Sequence, residues 1–76
     1  MKVQILGTGC QKCRTLAANA EAAVQALGLN AQIEKVEDIH DIAAMGVALT
    51  PALAVDGVVK SSGRLLSVSQ ISKLLS

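Results

Sequence analysis

The chain contains two cysteines, and both fall in Gly7-Thr8-Gly9-Cys10-Gln11-Lys12-Cys13-Arg14. Two residues separate the thiols. If Cys10 stands at the mouth of a helix and Cys13 one turn inside, their sulfurs can close an intramolecular disulfide. The reactive form is the thiolate, and an ordinary cysteine, with a pKa of about 8.5, is mostly protonated at neutral pH. A helix N-terminus corrects this, because its unpaired N–H groups and positive dipole end favour an anion at Cys10. Lys12 and Arg14 add positive charge, and no acidic residue precedes Glu21. Every formal charge near the pair in sequence therefore favours the thiolate. Cys10 is the expected nucleophile, and Cys13, deeper on the inner face, the expected resolving thiol.

Composition narrows the setting for this chemistry. Seventy-six residues, 51% of them hydrophobic, make one small domain with a core of its own, covering residues 1–76. The chain has no Phe, Tyr or Trp, which leaves Leu, Ile, Val and Ala to build that core and removes base stacking as a binding device. A net charge of +1 without a basic cluster also argues against nucleic acid. Lys2 is followed by too few apolar residues for a signal peptide or a membrane span, so the expectation is a cytoplasmic protein with no membrane partner. In a reducing compartment, closely spaced cysteines point to catalysis or metal binding rather than to a structural bridge.

The elements that must position the pair can be read in order. Residues 3–6 hold three apolar residues before Gly7 and read as a buried strand. From 11 to 27 the positions Cys13, Leu16, Ala17, Ala20, Val24 and Leu27 recur at helical spacing, with Gly28 as the C-terminal cap. Residues 30–36 read as a strand suited to a sheet edge. Asp38 caps a short helix carrying Ile39, Ile42 and Ala43 on one side and ended by Gly46. His40, the only histidine, sits between Asp38 and Asp41 and reads as a surface residue; Met45 reads as packing. Asp56-Gly57 joins residues 52–55 to 58–60 as a hairpin, and Pro51 stands where the first of these strands begins. A second turn comes at Ser61-Ser62-Gly63-Arg64. Ser67 and Gln70 form a capping box with Leu66 and Ile71 as a staple, opening a helix to about residue 75 with Ile71, Leu74 and Leu75 buried. The order βαβαββα gives a mixed sheet covered by helices, with a parallel pair across the first crossover.

With these residues in place, the whole chain resembles the small thioredoxin-like, glutaredoxin-sized redox proteins, the redox-active disulfide proteins. Cys10-Gln11-Lys12-Cys13 after the first strand carries the resemblance, joined to Gly46-Val47, Thr50-Pro51-Ala52-Leu53, Asp56-Gly57 and Ser61-Ser62-Gly63. It implies a thioredoxin-like fold with a four-stranded mixed sheet. It also implies a cis Thr50-Pro51 bond beside the disulfide, with the Thr50 backbone offering hydrogen bonds to an extended substrate. By the same resemblance Cys10 matches the attacking cysteine and Cys13 the resolving one. The implied activity is thiol–disulfide exchange on disulfide-containing proteins, without a cofactor, in a monomer regenerated by a thioredoxin-reductase-like donor. Departures are specific. Gln11-Lys12 replaces the Gly-Pro of typical thioredoxins and the Pro-Tyr of typical glutaredoxins, no Trp precedes Cys10, and nothing marks a glutathione site. No acidic residue is assigned as proton acceptor for Cys13, which leaves water or a backbone group.

The alternative is a carrier of Cu(I) or another soft metal, held between the same two thiolates. Domains of that kind place Met where this chain has Thr8, and need two strands between their helices where this chain has a helix from Asp38. Structural zinc wants four ligands, and two cysteines with a distant His40 fall short.

Overall fold

The computed structural model describes residues 1–75. It contains β1 (Lys2–Leu6), α1 (Gln11–Leu27), β2 (Gln32–Val36), α2 (Ile39–Ala44), β3 (Ala52–Val55), β4 (Val58–Ser62) and α3 (Val68–Leu75). The βαβαββα order read from the sequence is the one found. The strands form one sheet in the order β2-β1-β3-β4. β1 runs parallel to β2 and antiparallel to β3, and β3 and β4 form the antiparallel hairpin.

Alternation along the two central strands divides the core. Val3, Ile5 and Leu53 face α1 and α3, where they meet Leu16, Ala20, Val24 and Ile71. Leu6, Ala52 and Ala54 face the other way and pack with Ile42 and Val47. Alanines on α1 let that helix lie close to the sheet, which an aromatic-free chain needs to exclude water.

Local chemistry fixes the element ends. Gly28 adopts φ 65° and the Leu29 N–H bonds the Val24 carbonyl at 3.1 Å, closing α1 as a Schellman turn. Asp56 and Gly57 both have positive φ, 50° and 84°, the signature of a type I′ hairpin turn. The capping box of α3 is complete: Gln70 N–H donates to Ser67 Oγ at 3.2 Å and Ser67 N–H to Gln70 Oε1 at 2.9 Å. Leu66 and Ile71 are both buried beside it.

Several expectations change. The hairpin's second strand runs on through Ser61 and Ser62, which pair with Leu53 and Ala52, so the turn begins at Gly63. The second strand starts at Gln32, inside the expected 30–36, and does occupy an edge. Leu27 and Leu74 are partly exposed, and Ile39 and Ala43 lie on the surface. A helix as short as α2 turns only one of its apolar positions, Ile42, fully into the sheet.

Candidate active site

The site is built where β1 gives way to α1. Gly9 adopts φ 85°, turning the chain into the helix, and Cys10 is the N-cap in extended conformation. Gly7 is required for a different reason. A Cβ there would overlap the Cys13 Sγ and lie 4.0 Å from the Pro51 Cα. The bare Gly7 backbone is thus the spacer between the buried thiol and the proline loop. The Thr50-Pro51 peptide is cis, with Thr50 exposed and Pro51 buried.

The two cysteines are free thiols, Cys10 exposed and Cys13 buried. Their sulfurs are 2.7 Å apart, and the Cys13 N–H reaches Cys10 Sγ at 3.4 Å. The two thiols are shifted in opposite directions. Cys10 is held below the ordinary cysteine value, first by the hydrogen bond from the Cys13 thiol and then by backbone N–H groups of Cys13 and Lys12. Cys13 is pushed up, first by burial and then by that same shared hydrogen bond, while the backbone at Cys10 and Gly9 pulls partly the other way. Cys10 is thus both the more exposed and the more acidic of the two thiols.

A cleft of about 190 Å³ opens onto Cys13 and is lined by Gly7, Gly9, Arg14, Lys35 and Glu37. Arg14 therefore reaches the dithiol's surroundings, and Lys12 is exposed on the first turn of α1. Glu37 is the residue that sequence proximity misses. Its Oε2 lies 3.2 Å from the point a Gly9 Cβ would occupy. Charge near the pair is therefore not uniformly positive. Parallel pairing brings Glu37 there: Leu6 is in register with Val36, and the Gly7 N–H bonds the Val36 carbonyl at 2.9 Å. The parallel crossover is the signal that could have found it, because residues just past the carboxyl ends of two adjacent parallel strands lie together at the same end of the sheet.

Other candidates stay outside. His40 is exposed, with its backbone N–H on Asp38 Oδ1 at 2.8 Å. Among the described residues no three metal-binding side chains cluster, and no helix is long and apolar enough to cross a membrane.

An exposed, acidified thiol over a buried partner, beside a cis-proline on a four-stranded mixed sheet, defines a dithiol protein of thioredoxin-like fold. The chain belongs to the Thioredoxin domain family, whose match runs over residues 1–76. It is 46% identical over 76 residues to a thioredoxin of Methanothermobacter thermautotrophicus, covering 100% of this chain and 99% of that one. A thioredoxin of Methanocaldococcus jannaschii is 41% identical over 73 residues, 96% of this chain and 84% of the relative. The protein is accordingly a thiol–disulfide oxidoreductase whose substrates are disulfides and whose dithiol is restored by a reductase-type donor.

Proposed function

We propose that Cys10 attacks and Cys13 resolves, in a monomeric single domain of residues 1–76 acting on disulfide-bonded proteins in the cytoplasm. The observation that carries this reading is the 2.7 Å approach of one exposed sulfur and one buried sulfur. Cys10 thiolate attacks one sulfur of the substrate disulfide. A bond forms between Cys10 Sγ and that sulfur, the substrate S–S bond breaks, and the other sulfur leaves as a thiolate that takes up a proton. Cys13 then gives up its proton and attacks Cys10 Sγ. The Cys10–Cys13 disulfide forms, the mixed disulfide breaks, and the second substrate thiolate departs. Two electrons have passed from protein to substrate, and a thioredoxin-reductase-like protein returns them.

The surrounding residues divide the remaining work. Thr50 presents its backbone to an extended substrate segment in strand-like fashion, and Pro51 keeps that segment beside the sulfurs. Lys12 and Arg14 favour the thiolate through their charge. Glu37 stands on the cleft onto Cys13 and receives the proton that the buried thiol must lose, directly or through water.

Trapping tests these roles. Cys13→Ser accumulates a mixed disulfide between Cys10 and a disulfide substrate, detected by mass. Glu37→Gln forms the same adduct at the wild-type rate and releases it more slowly. Normal turnover by Cys13→Ser would remove the resolving role, and unchanged release by Glu37→Gln would remove the proton role.

A further inference from the structure

The net charge of +1 conceals a polarity across the sheet. Four of the six side-chain carboxylates, Glu34, Glu37, Asp38 and Asp41, fall on the edge strand β2, on α2 or between them, with Glu34 paired to Lys2 at 2.7 Å. After Asp56 the chain has no acidic residue, and its last three cations, Lys60, Arg64 and Lys73, line one groove at the opposite edge. Among the described residues that line this groove, about 260 Å³ between β4 and α3, none carries a carboxylate.

Its construction points to an anionic occupant. Leu53 pairs with Ser61 and Ala54 with Val59, so Lys60 is the extra residue of a bulge in the edge strand. Bulges re-aim side chains, and this one contributes a lysine to the groove. Among the described residues neither Lys60 nor Arg64 has an ion-pair partner. Leu66 and Leu74 supply apolar walls, and a cleft of one charge sign with such walls concentrates its field. The Ser61 hydroxyl in the same lining is buried without a hydrogen-bond partner among the described residues.

One backbone hydrogen bond links the chain beside the groove to the proline loop. Gly63 N–H donates to the Pro51 carbonyl at 2.9 Å, which ties the end of β4 to the cis-proline. Gly63 stands in the chain between Ser62 and Arg64, two of the residues that line the groove.

We propose that the β4–α3 groove receives an acidic stretch of the protein whose disulfide is attacked, with Lys60 and Arg64 as its charged contacts. This deepens the exchange function and rests on the substrate placement at Thr50-Pro51. The groove lies at the β4 edge alone, so its charge selects the direction in which an extended substrate lies.

Three peptide homodimers, each joined by one disulfide, provide the test. One carries three glutamates before the cysteine, one carries them after it, and one has glutamines in their place. At low ionic strength the reduced full-length protein is expected to reduce one of the glutamate peptides about tenfold faster than the glutamine peptide, an advantage that fades in about 0.5 M salt. Lys60→Glu/Arg64→Glu is expected to abolish the advantage while reducing the glutamine peptide at the wild-type rate. If that variant does not fold, Lys60→Gln/Arg64→Gln carries the same expectation. Equal rates for all three peptides overturn the proposal. So does an advantage that survives the double substitution, which would place the attraction at Lys12 and Arg14, or a double variant that slows the glutamine peptide as well. A glutamine peptide that the wild-type protein does not reduce overturns the exchange reading itself.

Discussion

At the scale of single residues, the difference in acidity between the two thiols comes chiefly from one shared hydrogen bond and one difference in burial. Cys10 is lowered chiefly by the Cys13 thiol, so Cys13→Ala is expected to move the inflection of Cys10 alkylation by iodoacetamide to higher pH. A pH profile of the alkylation rate checks this; an unchanged inflection would mean that the thiolate is held without the Cys13 thiol, by the backbone N–H groups and the nearby positive charges. The linkage to stability has opposite signs at the two sulfurs. Cys10, lowered on folding, stabilises the fold above its unfolded pKa, and that contribution is lost as pH falls through the lowered folded value. Cys13, raised on folding, stabilises the fold below its unfolded pKa, and that contribution is lost as pH rises through the raised value. Cys-x-x-Cys spacing makes the first role visible in the sequence. Glu37 was not visible there, because its approach to Gly9 depends on a strand pairing remote along the chain.

At the scale of elements, the junction between β1 and α1 matters more than either element alone. Gly7 must lack a side chain so that Cys13 can pack against the strand end while Pro51 closes from the other side. Gly7→Ala is expected to destabilise the protein by about 1–3 kcal/mol through overpacking, and to slow closure of the Cys10–Cys13 disulfide because the Cys13 sulfur is displaced. Urea unfolding and timed thiol trapping read the two effects separately; normal stability with normal closure would show that the loop yields freely. Element identity was largely legible. The α3 capping box, the Asp56-Gly57 turn and the Gly28 cap are local signals, and each is realised in the backbone. The limits of β4 were not, because Ser61 and Ser62 have turn-like composition and are drawn into the sheet by pairing with Leu53 and Ala52.

At the scale of the whole molecule, two apolar layers grip a sheet whose central strands are buried on both faces. Leu53, fully buried at the centre, has no exposed surface to absorb a truncation. Leu53→Ala is expected to cost about 2–5 kcal/mol, a large part of the roughly 5–15 kcal/mol typical of a domain. Thermal or urea unfolding measures it, and a loss below about 1 kcal/mol would show that neighbouring side chains collapse into the space. The sequence by itself determined the dithiol, the order of elements, the parallel crossover and the hairpin, because spacing, caps and turn residues act over a few positions. Only the tertiary structure decided that Glu37 and the buried thiol line one cleft, that Ile39 and Leu74 stay at the surface, and that Lys60, Arg64 and Lys73 line one groove. Those outcomes depend on strand register and helix rotation, which are settled by packing between segments far apart in the chain.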